Sequence, residues 1–336
     1  MALFASCEVE FSPNDNWKET PVVYCLLDQD DDTTFVRVQR CYLGEGNQYR
    51  FASIRDSVYY PEGALTVLLE EWNVWQEAVG HYHRSGDTAR RTFTLSYTEL
   101  VDKDSGLFYH QRQPIYYLPS AGLLDTSYIY RVVVKKNSTG EVIASGETRL
   151  IRGEMVLVRP NNNTHFQFNG ASRGRTCDME WTMLRDARQY QPVVRFHYRD
   201  FIINRDVTPW DTTITPHYLD ITFPAVKSNF RGYACTTQVS QLFYLSEIKR
   251  MLDGDTCPKN IVDSVDISIL CCTEDLSAYM YSANPLGTLN QEPFIYTNID
   301  GGLGVVAARR RHISFRVSTP GSGDYVKQIK NLGVGF

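Results

Sequence analysis

The chain has 336 residues, 43% hydrophobic and 22% charged, with a formal net charge of -5. That composition belongs to a globular polymer long enough for two cores and excludes a disordered one. The negative balance argues against a nucleic-acid partner, which calls for a basic face, and no run of about 18 apolar residues is present to cross a bilayer as a helix. Aromatic residues reach 12%, with 21 Tyr; such residues favour pleated, half-buried surfaces, so they point to a β-rich fold without naming a ligand.

The first ten residues contain a short apolar run, Leu3 to Ala5, followed by Ser6 and Cys7. Small side chains before a cysteine are what a bacterial lipoprotein signal presents at its cleavage point, where the thiol carries the lipid. The run is shorter than the roughly 7 to 15 apolar residues of a full signal, so the expectation is that the true start lies upstream; the alternative is an ordinary thiol on a frayed end. Residues 1–20 are then a signal remnant and tether, polar from Phe11 to Thr20.

Strands are expected at Pro21–Leu27 and Phe35–Leu43, the second alternating with a period of two. Between them Asp28, Asp30, Asp31 and Asp32 resemble the start of a calcium loop, but the later Gly and bidentate Glu are missing, which favours a hairpin turn. Gly44–Asn47 ends the second strand, and Phe51–Ile54 reads as one helical turn. Further strands fall at Leu65–Trp72, Arg91–Tyr97, Tyr128–Lys135 and Glu141–Ser145, with a turn at Lys136–Gly140. Short strands separated by Gly, Asn and Asp turns predict an immunoglobulin-like β-sandwich over 21–150, although the Cys and Trp spacing of true immunoglobulin domains is absent. His81 and His83 would share a face if extended, but with no third ligand nearby the segment Glu77–Asp87 is read as a loop. Asn137-Ser-Thr matches a glycosylation pattern and is read as a turn.

The pattern resets between Leu150 and Pro160, which places a second, β-rich domain with one packed helix over 151–318. Its strands are expected at Met155–Val158, Cys177–Trp181, Tyr190–Tyr198, Tyr218–Phe223 and Asp263–Cys271, with Leu276–Tyr281 able to pair with the last. Val194, Phe196 and Tyr198 should face one way, Val193, Arg195 and His197 the other, and His197 beside Arg195 reads as a structural histidine. The helix spans 239–252, its apolar stripe Leu242, Leu245, Ile248 and Leu252, capped by Thr237 or Ser240 and ended before Gly254. Gly301, Gly302 and Gly304 demand positive φ or a close backbone approach, read as a bulge before the next strand and not as a phosphate loop. His312–Val317 closes the domain, and 319–336 reads as a Gly-rich tail. Of eight cysteines none forms a Cys-x-x-Cys pair, and most read as small buried hydrophobes.

Four stretches, Trp17–Asp28, Cys41–Asn47, Tyr190–Tyr198 and Gln291-Glu-Pro-Phe-Ile-Tyr-Thr-Asn-Ile-Asp-Gly-Gly-Leu-Gly304, resemble in order and spacing an uncharacterised family of Bacteroidota envelope lipoproteins. The resemblance covers most of the chain from Cys7 to about Val317, and the last stretch is its most specific part. It implies a two-part, mainly β protein behind a lipidated Cys7, with Glu8 and Glu10 similar to the acidic residues that accompany delivery to the cell surface. The charged and apolar parts of a signal, and a short ending after Thr319, are where this sequence departs from it.

The expectation is a non-enzymatic binding or accessory lipoprotein of the outer membrane, with lipidation at Cys7, the membrane as partner through the lipid, and a transport system as associate. Its ligand is unknown, and no catalytic, cofactor-binding or metal-ligating residue is assigned. The competing readings are a hydrolase acting on glycans, which needs two carboxylates about 5 to 10 Å apart, and a structural envelope protein that assembles through sheet edges.

Overall fold

The computed structural model describes residues 19–41, 48–78, 81–101, 106, 109–161, 163–170, 174–208, 211–228, 232–282, 295–311, 313–321 and 323–336. Cys7 and its acidic neighbours lie outside them, as do Trp17, most of Cys41–Asn47 and Gln291–Phe294. In chain order the strands are β1 (Pro21–Leu27), β2 (Thr33–Arg40), β3 (Leu65–Ala78), β4 (His81–Ser85), β5 (Arg91–Thr94), β6 (Ser96–Leu100), β7 (Gln113–Pro119), β8 (Ile129–Lys136), β9 (Val142–Arg149), β10 (Leu157–Arg159), β11 (Thr176–Thr182), β12 (Gln189–Asn204), β13 (Asp211–Thr222), β14 (Val226–Lys227), β15 (Ala234–Ser240), β16 (Lys259–Cys272), β17 (Ile299–Asp300), β18 (Leu303–Arg310) and β19 (Ser314–Ser318). The helices are α1 (Gln48–Ala52), α2 (Arg55–Val58), α3 (Gln241–Met251), α4 (Glu274–Ser282) and α5 (Asp324–Lys330). Strands hold 51% of the described residues and helices 13%, which makes the fold mainly β.

Period-two alternation builds the first core. Val23, Cys25 and Leu27 of β1, Val36 and Val38 of β2, and Val306 and Ala308 of β18 are buried together with Leu65, Val67 and Leu69 of β3 and Tyr130, Val132 and Val134 of β8. Each large side chain withdrawn from water contributes about 1.5–3 kcal/mol. One sheet runs β18-β1-β2-β7-β6 and the other β17-β9-β8-β3-β4, with β5 also on β3. Their apolar faces share one cluster, as in a β-sandwich.

Two of these strands come from 299–310, a segment the sequence assigns to the second domain. β18 runs parallel to β1, Val22 to Leu27 opposite Leu303 to Ala308, and β17 pairs with β9. The glycines make this return possible. A Cβ on Gly301 (φ 76°) would lie 2.6 Å from the carbonyl oxygen of Ile143, and one on Gly304 (φ 108°) 2.1 Å from that of Val23. The close approach expected of these glycines is therefore met by the strands of the first core.

The second core gathers Met179 and Trp181 of β11, Val194, Phe196 and Tyr198 of β12, Val265, Ile267 and Ile269 of β16, and Tyr244 and Ile248 of α3. β18 joins the cores: its last residues Arg309 and Arg310 pair with Cys272 and Cys271 of β16, so one sheet continues β13-β12-β16-β18-β1. The Ser240 hydroxyl caps α3, accepting from the Phe243 N–H at 3.5 Å. The buried stripe differs from the expected one: Leu242 is 78% exposed, and Tyr244, Ile248 and Leu252, spaced by four, face inward. Tyr244 claims that face because its hydroxyl meets the Tyr325 hydroxyl at 3.0 Å inside the core.

Three more expectations are corrected. Leu276–Tyr281 lies in helix α4 and not in a strand; six residues are too few for apolar periodicity to decide, while Glu274 and Asp275 favour a helix N-terminus through its dipole. The tail after Thr319 contains α5, whose Tyr325 and Ile329, one turn apart, are buried in the second core. The loop expected over Glu77–Asp87 contains strand β4, paired with β3. Cys25, Cys177, Cys235, Cys271 and Cys272 are buried free thiols; burial pushes Cys25, Cys177 and Cys271 up to about 12 and Cys272 to about 11, so they pack as apolar groups.

Candidate functional site

Leu150 and Ile151 are each 1% exposed, but the first packs in the first core and the second in the second. The chain therefore crosses from one core to the other between two adjacent residues, and Arg149 and Arg152 flank the crossing. Arg152 exchanges two backbone hydrogen bonds with Arg185, both 3.0 Å. Asp186, at φ 69°, then turns the chain so that its carboxylate accepts from Arg152 Nε at 2.6 Å. Arg188 is tied to both neighbouring segments: its N–H donates to the Cys272 carbonyl at 2.7 Å, its carbonyl accepts from the Ser228 N–H at 2.8 Å, and its Nη1 donates to the Ser228 carbonyl at 2.7 Å.

These segments enclose a cleft of about 670 Å³. It is lined by Tyr82, Thr148, Arg149 and Arg152, by Met183–Arg188 and Ser228, and by Thr273–Asp275 at the start of α4. A volume of this size suits a small organic molecule better than a bare ion.

The charges are unequally matched. Arg149 stacks over Tyr82 with Cζ 4.1 Å from the ring centre, and Arg152 lies 5.2 Å from the same ring while donating from Nη2 to its hydroxyl at 2.8 Å. Arg152 has Asp186. Arg149 Nε and Nη1 are buried with no hydrogen-bond partner among the described residues, and the buried Thr148 hydroxyl has none either. Burial first, and the neighbouring Arg152 second, hold the Arg149 guanidinium below its usual pKa. Elsewhere in the lining Glu274 is exposed. Asp275 is pushed above the usual carboxylate range by burial, although it accepts a hydrogen bond from the Tyr296 hydroxyl. Counted along the wall there are four arginines (149, 152, 185, 188) and three acids (186, 274, 275). Guanidinium groups stay charged at any accessible pH, so the arginines of this lining can bind and orient an oxyanion.

The residues singled out from sequence lie elsewhere. Cys7, the expected lipid acceptor, is outside the described residues. Asp28–Asp32 forms the β1–β2 turn and is bound by arginines: Arg310 Nε donates to Asp30 at 3.1 Å, Arg311 pairs with Asp31 at 2.5 Å and with Asp28 at 3.4 Å, and Arg309 lies 3.7 Å from Asp31. Arg195 pairs with Asp220 at 2.7 and 2.8 Å, and His197 meets Asp266 at 2.7 Å, so the two neighbours serve separate structural contacts. His83 is exposed beside Trp75, with ring centres 6.2 Å apart, and nothing is described of the His81 side chain. Asn137 sits in a turn, its side chain donating to the Gly63 carbonyl at 2.7 Å.

The cleft arginines were missed. Their one signal was the repeated spacing of three, Arg149/Arg152 and Arg185/Arg188, the first pair at the expected domain boundary.

No family model matches the chain, and no curated protein matches it. Among solved structures the chain is similar to the C-terminal globular domain of an oligosaccharyltransferase from Pyrococcus abyssi, at 9% identity and a TM-score of 0.18, over 90% of this chain and 49% of that one. The chain thus spans about half the length of that structure, and a likeness this low transfers neither fold nor activity.

Proposed function

We propose that the protein is a non-enzymatic binding module, carried at the bacterial outer membrane by a lipid on Cys7, that holds a small ligand in the cleft between its cores as an accessory to a transport system. The observation that carries the binding reading is Arg149, a partly buried cation set in a cleft with two N–H groups unmatched. Asp186, the acid whose charge reaches Arg149, is already bonded to Arg152; a partly buried cation whose N–H groups lack acceptors costs stability, and a bound anion is what would offset that cost. The resemblance to Bacteroidota envelope lipoproteins supports the anchor and the two-part architecture.

Binding is favoured over glycan hydrolysis for a geometric reason. Glu274 and Asp275 are consecutive on α4, so their side chains diverge by about 100° and do not face each other across a substrate. The third acid, Asp186, is engaged by Arg152.

Fractionation of cells that express the full-length lipoprotein tests the anchor. The wild type should sediment with outer membranes and Cys7→Ala should be released. Retention of Cys7→Ala in membranes, or a wild type found free in the cytosol, would overturn the reading.

A further inference from the structure

The lining of the cleft narrows the ligand class, an inference that rests on the binding reading above. From the guanidinium and the hydroxyl that lack hydrogen-bond partners, and from the acids Glu274 and Asp275 in the same lining, we infer that the cleft takes a small polyhydroxylated oxyanion, a sugar bearing a carboxylate or sulfate group. The oxyanion lies against the Arg149 side and the hydroxyls against Thr273 and Glu274.

Arginine is the side chain best suited to such a head group, since its planar N–H fork matches carboxylate and sulfate oxygens. Here the guanidinium plane is held by stacking on Tyr82 at 4.1 Å, so less rotamer freedom is lost on binding. Thr148, 5% exposed, adds an unpartnered hydroxyl on the same side. Glu274 and Asp275, also in the lining, can accept hydrogen bonds, and a ligand's donors can be hydroxyl or ammonium. Four guanidinium groups in one cleft repel an ammonium, and burial resists ionisation of Asp275. Neutral hydroxyl donors satisfy the acceptors without that repulsion. The cleft of about 670 Å³ leaves room for more than the charged group alone.

The test is calorimetric titration of the full chain at fixed ionic strength, which keeps screening constant. The probes are D-glucuronate, glucose 6-sulfate, D-glucose, glutamine and inorganic sulfate. Glucuronate or glucose 6-sulfate should bind at least about tenfold more tightly than glucose, glutamine or inorganic sulfate, and the stronger of the two identifies the oxyanion. Arg149→Met should abolish the preference over glucose while the melting midpoint of the ligand-free protein does not fall, an outcome a merely structural arginine would not give. Arg149→Lys, which keeps the charge but loses the fork, should retain part of the preference.

Equal binding of glucose and glucuronate overturns the inference, as does tighter binding of glutamine. Inorganic sulfate binding as well as the sugar acids identifies an adventitious ion only, and no binding by any probe also overturns it. The Cys7→Ala fractionation reports on the membrane-displayed module separately, so the ligand class can fail while that reading stands.

Discussion

Two groups of arginines lie where the cores meet, and their surroundings differ. Arg309, Arg310 and Arg311, at the end of β18, face Asp28, Asp30 and Asp31 of the β1–β2 turn, three cations against three acids. In the cleft, Arg149, Arg152, Arg185 and Arg188 share a wall with Asp186, whose carboxylate is taken by Arg152. The first group ties strands together, each arginine having a carboxylate oxygen within 4 Å, even where Asp28 Oδ2 and Arg309 Nε, 3.9 Å apart, make no hydrogen bond. In the second, a partly buried cation keeps N–H groups without acceptors, an arrangement that costs stability. A guanidinium with a carboxylate in reach serves the fold at this seam, and Arg149, with none within 4 Å among the described residues, marks the site.

Mutations at the seam can break or sharpen that contrast. The largest effect is expected for Gly304→Ala. The residue sits at φ 108° with the Val23 carbonyl oxygen 2.1 Å from a Cβ position, so β18 must shift and carry Arg309–Arg311 with it. Denaturant unfolding should show a loss of about 3 kcal/mol or more; a loss below about 1 kcal/mol would mean that the parallel pairing does not hold the seam.

Glu71 provides a fully matched comparison inside the first core. Its side chain is 0% exposed and takes hydrogen bonds from Arg91 Nε at 2.9 Å and the Tyr130 hydroxyl at 3.0 Å, with Arg90 alongside. Glu71→Gln should cost about 2–3 kcal/mol, the range for weakening a hydrogen-bonded charged group. Burial alone would raise this carboxyl's pKa, but the hydrogen bonds from Arg91, Arg90 and Tyr130 prevail and hold it below the usual range. Its contribution is therefore complete above the ordinary glutamate pKa and lost as pH falls through the lower folded value. The gap between wild type and Glu71→Gln, followed by unfolding from about pH 7 down to about pH 3, should narrow with acidity; a constant gap would contradict the assignment.

Asp31→Asn removes one acid from the matched seam group. Asp31 and Arg311 are 21% and 40% exposed, so the expected loss is about 1 kcal/mol or less and should shrink in high salt. The smallest change is expected at the unmatched group: Arg149→Met should leave ligand-free stability within about 0.5 kcal/mol of wild type or raise it. If Arg149→Met destabilised the protein more than Asp31→Asn does, the contrast between the groups would be lost.

Much of the fold was legible because alternation reports directly on which face of a strand is buried. Val23, Cys25 and Leu27, and again Val194, Phe196 and Tyr198, fall inside as their period requires. The glycines at 301 and 304 announced a close approach through their lack of Cβ. The identity of the approaching backbone was not legible, since β18 reaches β1 across nearly the whole chain and strand pairing is a tertiary property. α4 was ambiguous because a short apolar run fits either period. The cleft was hidden for a similar reason: Arg149 and Arg185 are far apart in sequence and come to line one cleft beside the backbone pairing of Arg152 with Arg185. Whether a guanidinium is matched depends on neighbours that sequence order does not disclose.

The central claim, that the cleft's unmatched arginine awaits an oxyanion, is tested most directly by the thermal midpoints of wild type and Arg149→Met, each with and without a saturating concentration of the tighter-binding of D-glucuronate and glucose 6-sulfate at constant ionic strength. At a ligand concentration of about 100 Kd the wild type should gain about 2.7 kcal/mol of stability, a shift of several degrees, and Arg149→Met should not move. Equal shifts in both proteins, or no shift in either, would contradict the account.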